Sequence, residues 1–111
     1  MPGGGDTGEP GETVEPPSVP HVQVSAVEYA FTLSRTTVPA GKVIFQFVNN
    51  GQDEHNLKMA PPEGPLVGSF ADTPAKGISD LQLEIQAGQY KLFCSLPTHE
   101  QEGMKATLTV E

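Results

Sequence analysis

From His21 to Glu111 apolar residues alternate with polar ones in short runs, and no stretch of ten residues keeps a helical period. "HVQVSAVEYAFTLS" puts Val22, Val24 and Ala26 on one face. "TVPAGKVIFQFVNNG" holds a Pro-Ala-Gly-Lys turn, then a dense run through Val43, Phe45 and Phe47 that Asn49-Asn50-Gly51 ends. "SDLQLEIQAGQYKLFC" alternates Leu81, Leu83 and Ile85, turns at Ala87-Gly88, and resumes with Tyr90, Leu92 and Cys94. "KATLTVE" closes the chain with Ala106, Leu108 and Val110. Between Ala60 and Gly77 prolines and glycines blur the pattern, and any helix is expected to be a single turn there. Roughly seven to eight short strands in about 90 residues predict an all-β, antiparallel β-sandwich, two sheets around one core.

A chain of 111 residues suffices for one such domain. Twelve glycines and eleven prolines supply its turns. Residues 1–20, "MPGGGDTGEPGETVEPPSVP", have almost nothing to bury and cannot offset the entropy of ordering, so they are expected to form a solvated tether ahead of a domain at 21–111. The tether carries four acids and no base, which leaves ten acids against six bases in the domain. A formal charge of −8 disfavours nucleic acid or an anionic membrane surface as partner; a basic protein is its natural counterpart, although acidic balance by itself mostly signals solubility. No run approaches the roughly 20 apolar residues of a membrane span. The expectation is a monomeric, periplasmic or otherwise extracytoplasmic domain, tethered in its full-length form by a signal peptide or lipid-modified anchor upstream of Met1. A single cysteine makes no internal disulfide, so an exported chain must protect that thiol.

The thiol lies in "CSLPTHEQEGM", with Cys94, His99 and Met104 spaced five apart. Taken singly, Cys94 reads as a small buried hydrophobe, His99 as a loop residue and Met104 as core packing. Cys94 ends one strand and Lys105 begins the next, so the loop between them turns back and draws the three together. In "NNGQDEHNL" His55 follows a strand end, and at the same pole it would complete a set of two imidazoles, a thiolate and a thioether. Soft sulfur ligands favour copper, and a trigonal His-His-Cys site with a weak axial Met is the blue-copper arrangement. Zinc is better served by another Cys, His or carboxylate than by a thioether. His21 reads as surface, and Met59, Tyr90 and Phe93 as packing.

Over residues 21–111 the sequence resembles the cupredoxins, the type 1 copper proteins that include plastocyanins, azurins and auracyanins. The resemblance rests on "VPAGKVIFQFVNNG", the His55-Asn56 pair, "GQYKLFC" and above all "CSLPTHEQEGM". It implies a Greek-key sandwich of the cupredoxin type with one type 1 copper. His55, Cys94 and His99 would be the strong ligands and Met104 the weak axial one. It also implies that Asn56 donates its amide to the Cys94 sulfur and ties the two ligand loops together near Ser95. Two features depart from plastocyanins. Glu54 stands where they usually have proline, and four residues rather than two separate Cys94 from His99, a spacing closer to azurins, auracyanins and rusticyanins.

The function so implied is one-electron transfer rather than enzymatic turnover, since the chain shows no carboxylate pair or nucleophile–base set. Electrons would pass through the His99 edge, within a docking patch that includes Leu96 and Pro97, with Pro61 or Pro62 as further candidates. Asp53, Glu54, Glu100 and Glu102 would ring the patch, partly offset by Lys58 and Lys105, and steer a basic redox partner such as a cytochrome or an oxidase. Two alternatives are copper storage or delivery in the envelope, and a type 1 domain excised from a larger oxidoreductase.

Overall fold

The alternation of Val22, Val24 and Ala26 becomes strand β1 (His21–Val27), with these three side chains fully buried and their neighbours turned outward. The computed structural model describes residues 19–111. The expected tether therefore lies almost wholly outside the described residues. Beyond β1 come β2 (Ala30–Leu33), β3 (Thr37–Val38), β4 (Gly41–Asn49), β5 (His55–Ala60), β6 (Gly68–Thr73), β7 (Ile78–Ile85), β8 (Gly88–Phe93), the helical turn α1 (His99–Glu102) and β9 (Lys105–Val110).

One sheet has the order β2-β1-β4-β7 and the other β3-β9-β8-β5-β6. The two-sheet β-sandwich is the expected fold, with nine strands among the described residues where seven to eight were expected. The sheets are mixed where an antiparallel pairing was expected. β1 runs parallel to β4, from His21 opposite Ile44 to Ala26 opposite Asn49, and β3 runs parallel to β9. The hairpin β1–β2 explains the first of these. It turns at Glu28-Tyr29, with Val27 opposite Ala30, so β2 carries the chain back toward the end where β1 began, and β4 starts from that end beside β1.

Two further details differ from the sequence reading. The blurred segment contains β6, which closes the edge beside β5, with Leu57 opposite Phe70. Among the described residues the one helical turn falls at His99–Glu102 instead, where an eleven-residue connection must double back between neighbouring strands β8 and β9.

Between the sheets Phe45, Phe47, Leu57, Met59, Leu92 and Leu108 are buried essentially completely. Phe47 sits at the junction, its ring centroid 6.2 Å from that of Phe31 and 5.6 Å from that of Phe70 on the opposite sheet. Cys94 and Met104 belong to the same buried cluster, at the pole where β4, β8 and β1 all end.

Candidate metal centre

Three segments build this pole. The first, the turn from β4 to β5, is organised by Asn49, which is fully buried. Its Nδ2 donates to the carbonyls of Asp53 (2.9 Å) and Thr73 (2.8 Å), and its Oδ1 accepts from the Gly51 amide (2.9 Å). This folds the loop so that His55 enters β5 with its ring inside the sandwich. The residue that reads in the sequence as a strand end is thus the staple of the loop.

The second segment is the β8–β9 connection. The Cys94 amide donates to the Met104 carbonyl (3.1 Å), and the Met104 amide to the His99 carbonyl (3.1 Å). The His99 amide donates in turn to Leu96 (3.1 Å), which closes the loop on itself. Gly103 adopts a φ of +128°, and a Cβ there would stand 2.8 Å from the Tyr29 carbonyl oxygen. Backbone freedom and close approach both require glycine at this place.

Asn56 joins these two segments. Its Oδ1 accepts from the Ser95 amide (2.8 Å), and its Nδ2 donates to the Ser95 hydroxyl (3.0 Å) and to Asp72 Oδ1 (2.9 Å). The side-chain tie between the ligand loops at Ser95 is therefore present.

The third segment, the β1–β2 turn, carries two residues that sequence reading passed over. Glu28 Oε2 lies 2.6 Å from His55 Nε2. The same carboxylate accepts the amides of Gln52 (2.9 Å) and Asp53 (2.9 Å). Those two amides first, and then the His55 ring, hold the Glu28 carboxyl at about 2, below the usual carboxylate range. Tyr29 packs its ring 5.0 Å from that of His99 and 6.5 Å from that of His55. No local spacing links either residue to His55 or His99, and the parallel pairing of β1 with β4 brings them here.

One ligand atom from each of His55, Cys94 and His99 lies within 4.8 Å of the others. The two Nδ1 atoms are 3.2 Å apart, and Cys94 Sγ is 3.5 Å from His99 Nδ1. Two nitrogens about 2.0 Å from one ion, at an angle of about 100–120°, stand roughly 3.1–3.5 Å apart, and a sulfur at about 2.3 Å stands roughly 3.3–3.7 Å from either. The observed spacings fall in those ranges, so the donor set fits one metal ion facing the Nδ1 atoms. His55 is fully buried and His99 partly exposed.

Around the pole Leu96 is half-buried and Pro97 exposed. Pro61 and Pro62 are not there. They follow the distal end of β5 and line a depression with Gln86 and Gly88, at the end of β8 remote from Cys94. A six-residue strand carries the chain roughly 20 Å, which removes both prolines from the His99 surface. Glu100 pairs with Lys91, which also stands 5.1 Å from the Phe93 ring centroid, so part of the expected acidic ring is neutralised. Lys58 donates to the Ser69 hydroxyl (2.7 Å).

Comparison with known proteins agrees with this geometry. Rusticyanin from Thiobacillus ferrooxidans superposes with a TM-score of 0.70 at 22% identity, over 82% of this chain and 76% of that one. Auracyanin from the photosynthetic bacterium Roseiflexus castenholzii gives 0.72 at 18% identity, over 86% and 99%. Auracyanin B gives 0.70 at 24% identity, over 88% and 93%. No curated protein matches the sequence. The family model for copper-binding proteins of the plastocyanin/azurin family matches residues 19–111, the whole of the described domain including all three segments of the pole. The fold, the donor set and this match agree that the chain belongs to the plastocyanin/azurin family, a cupredoxin whose cofactor is copper.

Proposed function

We propose that this protein is a one-electron carrier in which His55, Cys94 and His99 hold copper at the buried pole and Met104 is its weak axial ligand. The convergence of the three donor atoms inside a braced sandwich carries this reading. Copper bound there supplies a centre that cycles between the cuprous and cupric states. The chain keeps the donors in one arrangement through both states. Asn49 and Asn56 fix the His55 and Cys94 loops, and Tyr29 packs against the His99 ring. Burial of Cys94 keeps the thiol from water and from other thiols.

His99 is the less buried imidazole, and its loop carries Leu96 and Pro97, so the electron passes through its ring to a partner docked on that surface. The partner is a basic redox protein, such as a cytochrome or an oxidase, attracted by Glu28, Asp53, Glu54 and Glu102. The protein works as a monomer outside the cytoplasm, tethered through its N-terminal segment. Among the described residues no helix is long and apolar enough to cross a membrane.

The test is an absorption spectrum on adding cupric ion. An intense visible band that bleaches on reduction and returns on oxidation, with copper retained, is the expected result. A colourless cupric complex with Cys94 reduced rejects a type 1 site, and rapid loss of copper to a chelator would favour delivery over transfer.

Two substitutions probe the parts separately. Met104→Leu is expected to keep copper and colour and to raise the reduction potential, because losing an axial donor destabilises the cupric state. Complete loss of copper from this variant, measured by metal analysis, would make the thioether a primary ligand. Leu96→Glu is expected to slow electron exchange with a redox partner about tenfold or more, since it puts an unpaired charge in an apolar contact, while the visible spectrum stays the same. Unchanged stopped-flow exchange rates would move the docking face away from His99.

A further inference from the structure

The three strong protein ligands are spread over β5 and the β8–β9 loop, yet a short polar contact to one of them comes from the β1–β2 turn. Glu28 Oε2 meets His55 Nε2 at 2.6 Å, on the side of the ring opposite the nitrogen that faces His99 and Cys94. His55 is fully buried, so its Nε2 has no water to turn to, and the carboxylate is the acceptor the structure provides. Glu28 is itself immobilised by the Gln52 and Asp53 amides, both from the loop that leads into His55.

We propose that Glu28 is a positioning residue of the copper centre, holding His55 in the Nε2–H tautomer with its Nδ1 lone pair turned to the metal and placing a negative charge behind that ligand. This rests on the copper reading of the site above. A neutral imidazole carries one ring proton, and the nitrogen that keeps it is set by the hydrogen bond available. A carboxylate at Nε2 can only accept, so the proton stays there and Nδ1 remains free before any metal arrives. With copper bound, the same carboxylate makes His55 a more basic ligand. Its charge stabilises the doubly charged cupric ion more than the singly charged cuprous ion, and so lowers the potential.

Glu28→Gln tests this, because the amide keeps a carbonyl oxygen for the loop amides and removes only the charge and the obligatory acceptor. The first readout needs no copper. ¹⁵N NMR of the metal-free full chain at alkaline pH should show wild-type His55 almost wholly as Nε2–H, and Glu28→Gln should show a substantial Nδ1–H fraction. In the copper protein the variant should lose about 10–100-fold in cupric affinity, with a smaller loss for cuprous ion. A tenfold preferential loss corresponds to a potential raised by about 59 mV.

Wild-type His55 found as Nδ1–H overturns the proposal without any variant. An unchanged or lowered potential in a folded Glu28→Gln protein overturns the charge effect, whereas a mere brace of the loop would leave tautomer and potential where they were. Absence of copper uptake by the wild-type chain counts against the copper reading, and the metal-free tautomer measurement still decides the role of Glu28.

Discussion

Cys94→Ser is expected to abolish the visible band completely while leaving the sandwich folded. The band arises from charge transfer from a thiolate to cupric ion. A serine hydroxyl at this position is neither ionised nor polarizable enough to replace it. The Sγ atom is fully buried and 3.5 Å from His99 Nδ1. A hydroxyl there occupies less volume and finds the same nitrogen as a hydrogen-bond partner, so the folding cost should stay near 1 kcal/mol. Absorption spectra with added cupric ion measure the first effect, and far-ultraviolet circular dichroism with thermal melting measures the second. A visible band of wild-type intensity in the serine variant would remove Cys94 from the ligand set. Loss of fold would show instead that the thiol acts mainly as core packing.

Phe47→Ala carries the largest expected effect on stability. The side chain is fully buried in β4 and touches aromatic rings from both sheets, Phe31 at 6.2 Å and Phe70 at 5.6 Å between centroids. Removing a buried phenyl ring from a site that strands on both sides prevent from collapsing costs about 3–5 kcal/mol. A domain of this size has a total stability of roughly 5–15 kcal/mol, so the variant should melt at least about 12 °C lower in the metal-free form. Ile78→Ala is the comparison. That side chain is 61% exposed, and its loss should stay within about 0.5 kcal/mol. A Phe47→Ala protein as stable as Ile78→Ala would mean that the inter-sheet core is not the source of the fold's stability.

Much of the architecture was legible because strand burial has a period of two. Val43, Phe45 and Phe47 alternate in the sequence and are all buried in β4, and Tyr90, Leu92 and Cys94 do the same along β8 and just past its end. The candidate ligands were legible for a different reason. Cys94, His99 and Met104 fall in one connection between adjacent strands, and such a loop has to return close to its start. His55 needed the further assumption that its turn lies at the same pole, which the Asn56–Ser95 hydrogen bonds satisfy. Pro61 and Pro62 were misplaced because nearness in sequence to His55 says nothing about direction along the strand, and β5 carries them to the far end.

By itself the sequence determined the class of fold, the donor chemistry and the loop that concentrates it, since all three follow from local spacing. The tertiary structure alone decided what stands behind the candidate ligands. Alternation within a strand specifies which face is buried and carries no information about whether a neighbouring strand runs with it or against it. An antiparallel β1 beside β4 would send the Glu28-Tyr29 turn to the opposite pole. The parallel register that is present, with Ala26 opposite Asn49 and the Asn50 amide bonded to the Ala26 carbonyl at 2.8 Å, puts that turn against the β4–β5 loop. Glu28 thereby reaches His55, and Tyr29 reaches His99, across 27 and 70 residues of chain. Contacts at such separations depend on how whole strands pair, and pairing is settled by burying two sheets against each other rather than by any local pattern.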